Sequence, residues 1–162
     1  MIHFGIDFGS KMAGTTAIAY NVDDRIYLTQ SPKNRDADTF IWNIIYTHNP
    51  ERIFIDAPLS LPLIYSEPNR GEDFFYRHCD RLVKAMSPMF LGGLTARAMK
   101  LAAGWRRNNI SVFESYPKKV KQILLPGDDI YKESEDKIGN FMKALNPFIK
   151  PYKVELMPQN WH

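Results

Sequence analysis

The feature that most constrains this chain is a short apolar run that ends in a carboxylate and a proline. Ile53-Phe54-Ile55 has the composition of a strand buried on both faces, and Asp56 follows it directly. Pro58 has no backbone N–H and disfavours a helical residue before it, so the strand has to end here. Asp56 is therefore expected at the carboxyl end of a central strand, where open α/β sheets bind their ligands.

Two other apolar runs in the chain end in the same way. The run from Ile2 to Ile6 is followed by Asp7, and the run from Ile110 to Phe113 is followed by Glu114. The carboxyl ends of parallel neighbouring strands meet at one edge of a sheet, and adjacent strands lie about 4.8 Å apart. We therefore expect Asp7, Asp56 and Glu114 to converge at that edge.

The order of the predicted elements indicates an α/β fold. Three consecutive strands form an antiparallel meander, and a helix, a strand, helices, a strand and a further helix follow. The strands are expected at residues 1–8, 14–20, 25–29, 53–55 and 110–113. Right-handed crossovers leave few arrangements for such a chain. We predict a ribonuclease-H-like fold, with a mixed five-stranded sheet in the order 3-2-1-4-5 and helices on both faces.

Length and composition fit a single domain over residues 1–162. Apolar residues make up 44% of the chain, no apolar run approaches the roughly 18 residues of a membrane span, and no signal-peptide pattern is visible. Cys79 is the single cysteine, so a reducing, cytoplasmic location is expected. A net charge of +3 is compatible with a nucleic-acid partner without arguing for one. The oligomeric state stays open, a homodimer included.

Carboxylates that share one edge of a sheet repel each other, and a divalent cation relieves that repulsion. Mg²⁺ or Mn²⁺ takes hard oxygen ligands, so Asp7 and Asp56 are predicted metal ligands. With Glu114 they form the predicted catalytic set for hydrolysis of a phosphodiester. The alternative for Asp7 is a turn cap. The alternative for Glu114 is an ion pair with Lys118 or Arg97.

A basic cluster supplies the predicted substrate contacts. Its members are Arg77, Asp80, Arg81 and Arg97. Arginine offers a bidentate fork to phosphate, which favours a substrate role. The alternative is a set of exposed ion pairs at helix spacing, Asp73 with Arg77 and Asp80 with Lys84, each worth a few tenths of a kcal/mol.

Two helices are predicted around these residues. Helix spacing from Phe40 to His48 indicates one, with Asp36 or Asp38 as its N-cap. A second is expected from about Glu72. Its inner face comprises Phe75, Cys79, Leu82, Val83 and Met86.

Several segments, taken together and in order, resemble the domain-of-unknown-function family numbered 429. They are Gly5-Ile6-Asp7, Ile55 to Pro62, Arg77 to Arg81, Pro88-Met89, Leu94 to Arg97 and Glu114 to Pro117. The resemblance spans roughly residues 1 to 120. That family is described as predicted nucleases of ribonuclease-H fold. The resemblance therefore implies a metal-dependent nuclease acting on structured nucleic acid.

The chain departs from the family pattern at its C-terminal end. The pattern continues with a helix bearing an Asp-Ala pair, which resembles the last catalytic acid of Holliday-junction resolvases, whereas this chain ends at Trp161-His162. Three interpretations stay open. The chain is truncated before that helix, this member is short, or Asp136 provides the last acid.

Two other functions stay open beside the nuclease, and the sequence leaves undecided whether the chain is an enzyme. Asp7-Phe8-Gly9 with Thr15-Thr16 loosely resembles the opening of nucleotide-binding phosphotransferases of the actin and sugar-kinase type. Those proteins need a second, duplicated domain, for which 162 residues leave no room. The remaining alternative is a binding module with a vestigial acid cluster.

Overall fold

The computed structural model describes residues 1–124, 126, 143–149 and 152–156. The strands are β1 (His3–Asp7), β2 (Ala17–Val22), β3 (Arg25–Gln30), β4 (Arg52–Ile55), β5 (Ser111–Glu114) and β6 (Lys153–Leu156). The named helices are α1 (Ala37–His48), α2 (His78–Val83), α3 (Pro88–Leu91), α4 (Gly93–Arg107) and α5 (Pro117–Leu124), with a 3₁₀ turn at Leu63–Tyr65. Residues 143–149 are also helical. Within these ranges, no helix has the length and apolar character needed to cross a membrane.

The described strands form one mixed sheet in the order β5-β4-β1-β2-β3-β6. β1, β2 and β3 form an antiparallel meander, while β4 runs parallel to β1 and β5 runs parallel to β4. β6 pairs in parallel with β3 at the far edge. The predicted α/β class is confirmed. The predicted number of five strands is wrong, because residues near the C-terminus extend the sheet beyond β3.

The hydrophobic core lies on one face of this sheet. Alternate residues of the central strands point into it, among them Phe4, Ile6 and Ile53. α1 and α4 cover the face with apolar residues at helix spacing. Trp42 of α1 meets Trp105 of α4 edge to face, with ring centroids 6.0 Å apart. The shared core thus holds the central strands in register.

The opposite face is open along its central strands in the part of the chain that the structure describes. Phe54 of β4 and Phe113 of β5 stack there with ring centroids 5.4 Å apart, and both are exposed. α1 and α4, the two longest described helices, contribute to the same core on the other side. We expected helices on both faces of the sheet, but α1 and α4 pack on the same face.

The N-terminus of α1 follows one of the two predicted alternatives. The Asp36 carboxylate accepts hydrogen bonds from the backbone N–H groups of Asp38 and Thr39 at 2.9 and 3.3 Å. Asn49 ends the helix in a left-handed conformation, which asparagine tolerates better than most residues. Asp36 is thus the cap, and Asp38 remains available for a contact described below.

The helix expected from about Glu72 is shorter than predicted and faces the other way. α2 begins only at His78, and its buried residue is Asp80. Four residues of the expected inner face are exposed: Phe75, Cys79, Leu82 and Met86. The prediction was wrong because a buried carboxylate paired with Arg77 takes the inward position, and apolar spacing does not record such a pair.

Candidate functional site

Asp7 and Asp56 lie side by side at the carboxyl edge of two parallel central strands. Ile6 stands opposite Ile55 in the register, and the Asp56 amide donates to the Ile6 carbonyl at 2.9 Å. Side chains alternate along a strand, so both aspartates lie on the face opposite the buried isoleucines. The structure therefore brings together the two residues that the sequence predicted as metal ligands.

The two aspartates border a cleft of about 560 Å³ on the open face of the sheet. Small residues of β1 and β2 form part of its lining: Gly5, Ala17 and Ala19. Without large side chains there, a ligand can approach the sheet closely. Phe54 and Gln30 also line the cleft, so it offers an aromatic surface and an amide near the acidic edge.

Asp56 has an altered acidity. Burial of its carboxyl group, together with the negative charge of Asp7, raises its pKa from 3.8 to about 6. Burial is the larger cause, and the negative charge of Asp7 is the second. Both effects disfavour a second negative charge at this edge, and a bound divalent cation would remove that penalty.

Glu114 does not join this pair. It stands opposite Ile55 in the register of β4 and β5, so it points to the other face of the sheet from Asp56. The residue that continues the row from Asp56 is Ser115, whose amide donates to the Ile55 carbonyl at 2.8 Å. Ser115 lines the cleft together with both aspartates. The three acids share an edge, but only two share a face.

Arg77 instead forms a buried network with Glu114 and Asp80. Two of its nitrogens donate to the Glu114 carboxylate at 2.6 and 2.7 Å, and it also contacts Asp80 at 2.5 Å. Ser60 accepts a further hydrogen bond at 3.0 Å. Only 9% of the Arg77 side chain and 2% of the Asp80 side chain are exposed. Burial by itself lowers the pKa of Arg77, but the hydrogen bonds to Asp80 and Glu114 outweigh it and raise the pKa above its ordinary value.

This network positions the segment that follows Asp56. Glu114 accepts a hydrogen bond from the Leu59 amide at 2.9 Å, so the segment is tied to the end of β5 and, through Arg77, to α2. All five N–H groups of the Arg77 guanidinium are engaged by Asp80, Glu114 and Ser60. Arg77 therefore has no free donor for a substrate phosphate in this arrangement.

The other two predicted substrate arginines occupy different surroundings. Arg81 is 61% exposed, donates to Asp73 at 2.5 Å and lies over the Tyr76 ring at 4.4 Å. The Tyr76 amide, followed by the Arg81 side chain, lowers the pKa of Asp73 to about 2. Arg81 is the predicted substrate residue that presents its side chain to solvent.

Arg97 braces the loop that follows Asp7. Its Nε donates to Asp38 at 2.8 Å, another nitrogen donates to the Gly9 carbonyl at 3.1 Å, and its guanidinium lies 4.1 Å from the centre of the Phe8 ring. The Arg97 side chain is only 16% exposed. It thus holds the end of β1 against α1 and α4.

The same loop requires glycine at position 9. The Gly9 amide donates to the Thr16 hydroxyl at 3.1 Å. A Cβ atom at this position would fall 2.1 Å from the Thr15 hydroxyl oxygen. The Asp7-Phe8-Gly9 segment, which suggested a phosphotransferase, therefore has a packing reason for its glycine.

The donor set near Asp7 is suited to a single hard cation. No group of three His, Cys, Asp or Glu side chains that could hold a metal occurs within the described residues. Two carboxylates nevertheless suit Mg²⁺ or Mn²⁺, because these ions keep several water ligands. Asp136, the alternative last acid, lies outside the described residues. The sequence analysis missed Ser115, which a correct register for β5 would have placed beside Asp56.

Comparison of the chain with protein-family models and with curated proteins finds no match.

Proposed function

We propose that this protein is a metal-dependent nuclease of ribonuclease-H-like fold that hydrolyses phosphodiester bonds in structured nucleic acid. The observation that carries the proposal is the placement of Asp7 and Asp56 on adjacent parallel strands, facing the same open cleft. The meander followed by two parallel strands supports the fold assignment.

The two aspartates would hold one Mg²⁺ or Mn²⁺. Among the described residues neither carboxylate forms an ion pair with a basic side chain, so their oxygens are available to a cation. When bound, the cation supplies charge stabilisation for the phosphate and lowers the pKa of a water ligand. Asp7, the exposed member, meets solvent, and Asp56, the half-buried member, fixes the position of the site relative to the sheet.

The rest of the machinery would act by positioning. Arg97 and Thr16 hold the loop after Asp7, and the network around Arg77 holds the segment after Asp56. The open cleft gives a nucleic-acid strand access to the carboxylates from the sheet face. Arg81, with an exposed side chain, is the residue we assign to a backbone phosphate.

A second candidate function is a binding module that does not cleave its ligand. One observation favours it: Arg77, Asp80 and Glu114 satisfy one another, which leaves two carboxylates at the described edge instead of three. Such a module would bind nucleic acid with the same salt dependence but would leave it intact.

A cleavage assay distinguishes the nuclease from the binding module. Junction, duplex and single-stranded substrates are incubated with the protein and Mg²⁺ or Mn²⁺. Asp56→Asn keeps the side-chain shape and removes the charge, so we expect cleavage to be abolished. Asp23→Asn is the matched control, because Asp23 is exposed in the turn after β2 at the other end of the sheet and its φ of 52° suits asparagine. Failure of the wild type to cleave any substrate with either metal would favour the binding module.

A further inference from the structure

A second cavity lies next to Asp56 and is not used by the chemistry proposed above. Its volume is about 570 Å³, within the range of pockets that hold small ligands. It is formed where α2 and the segments leading to α4 approach the ends of β4 and β5. Asp56 and Ser115 line both this cavity and the cleft on the sheet face. A group bound here would therefore adjoin a ligand held at the aspartate pair.

One side of the cavity is apolar. Val83, Met86, Leu91 and Leu94 line it. Met86 is 61% exposed, so part of its side chain faces solvent at the mouth of the cavity. Methionine is flexible, and its sulfur contacts aromatic rings favourably. The wall therefore fits the face of a planar ring.

The polar side of the cavity is acidic. Its acidic and basic side chains are the carboxyl groups of Asp56, Asp80 and Glu114 and the guanidinium of Arg77. Since the Arg77 donors are engaged, the cavity offers a free phosphate no cation to bind. Within the described residues, the Ser115 side chain has no hydrogen-bond partner, and Arg77 occupies only one acceptor site of Glu114 Oε1. These two groups can accept hydrogen bonds from an amino group, while Asp56 remains assigned to the cation.

We propose that this cavity receives an unpaired nucleobase that carries an exocyclic amino group. The ring packs against the apolar wall, and its amino group donates to the acidic side, as carboxylates accept from such groups elsewhere. Enzymes that act on nucleic acid read extruded bases in pockets of this kind. The inference rests on the proposed nuclease function, since the nucleotide's phosphate then lies towards Asp7 and Asp56. It adds a preference for amino-bearing bases beside the reacting phosphate.

Nucleosides without phosphate test this directly in EDTA-containing buffer. Adenosine and inosine have rings of the same size, and only adenosine carries the exocyclic amino group. We expect adenosine to bind roughly tenfold more tightly than inosine, the effect of one hydrogen bond to a charged acceptor. Binding is followed by NMR titration, with shifts expected at the amides of Ala57 and Ser115. Equal affinity for the two nucleosides, or no binding of adenosine, would overturn the proposal.

A matched pair of variants locates the site. Met86→Trp fills the mouth of the cavity, while Leu82→Trp places the same ring at a residue that is 67% exposed and does not line it. Adenosine binding should be lost in the first and retained in the second, and retention in both would contradict the assignment. Neither measurement requires metal. Failure of the base site is therefore distinguishable from failure of the nuclease, which a Mn²⁺ titration of the same protein reports.

Discussion

In the folded protein, the Asp56 carboxyl group holds its proton more strongly than an ordinary aspartic acid does. Its pKa rises from 3.8 to about 6 because it is partly buried and faces Asp7. Between these two values the folded state binds more protons than the unfolded state, so the free energy of unfolding falls as pH rises from about 4 to about 6. The shift corresponds to roughly 3 kcal/mol, and screening at a partly exposed group reduces it to about 1–2 kcal/mol.

Asp56→Asn should therefore stabilise the metal-free protein at pH 7 by about 1–2 kcal/mol. Near pH 4 the difference should be small, because the folded wild-type carboxyl is then protonated. Chemical denaturation of wild type and variant in EDTA, at pH steps from 4 to 8, measures the difference. If the aspartate only capped the backbone, the variant would instead lose about 1 kcal/mol at pH 7.

The sequence predicted Asp7 and Asp56 correctly as neighbours because each acid directly follows its strand's apolar run. For Glu114 the same reasoning is wrong, because the register of β5 differs by one residue from the expected one. Glu114 pairs with Ile55 and not with Asp56, and a shift of one residue moves a side chain to the other face of the sheet. Nothing in the apolar run before Glu114 records that register, so Ser115 was overlooked.

At the scale of elements, the contact between α2, β5 and the segment after β4 depends on the ion pairs that Arg77 forms. Removing one partner of a buried ion pair leaves an unpaired charge and costs about 3–5 kcal/mol. Arg77→Ala should therefore destabilise the protein by that amount, because Asp80 is almost fully buried. Arg81→Ala, which breaks an exposed pair with Asp73, should cost far less stability than Arg77→Ala. Urea denaturation of both variants checks this, and similar losses in the two would contradict the buried network.

The same ion pairs explain why the prediction for α2 was wrong. Apolar residues at helix spacing favour an inner face of Cys79, Leu82 and Met86, and this criterion worked for α1, where Ile41 and Ile44 are buried. In α2 the inward-facing residue is Asp80. Arg77, the N-cap residue of the helix, neutralises its charge and also donates its backbone N–H to the Asp80 carboxylate. The ion pair between Arg77 and Glu114 joins residues that are 37 positions apart in the sequence. A local pattern of apolar residues does not record such a pair.

On the scale of the whole molecule, the sheet is covered by α1 and α4 on one face and carries the cleft on the other. The order of the predicted strands and helices was sufficient to predict the α/β class and the meander. The sixth strand was not predicted because β6 is short and lies at an edge. From the sequence, the tail from Val154 to His162 fits a strand or a loop equally.

We propose that the exposed Arg81 contacts a backbone phosphate of a bound nucleic acid. Arg81→Ala should weaken binding and reduce the slope of log affinity against log salt by about one phosphate contact. Arg97→Ala is the wrong comparison, because its side chain supports the loop after Asp7. Arg35→Ala is suitable, since Arg35 is also an exposed arginine but lies in a different segment, just before α1. Fluorescence anisotropy at several salt concentrations gives both slopes, and an unchanged slope for Arg81→Ala would remove its phosphate role.

The central claim is that Asp7 and Asp56 together hold one divalent cation, and calorimetric titration of Mn²⁺ tests it most directly. Wild type, Asp7→Asn, Asp56→Asn and the control Asp23→Asn are titrated at pH 7.5, above the raised pKa of Asp56. We predict one Mn²⁺ per chain for wild type and control, with affinity reduced at least about tenfold in each site variant, since each loses a charged ligand. Binding that is unchanged in Asp7→Asn or Asp56→Asn, or absent from the wild type, would contradict the claim.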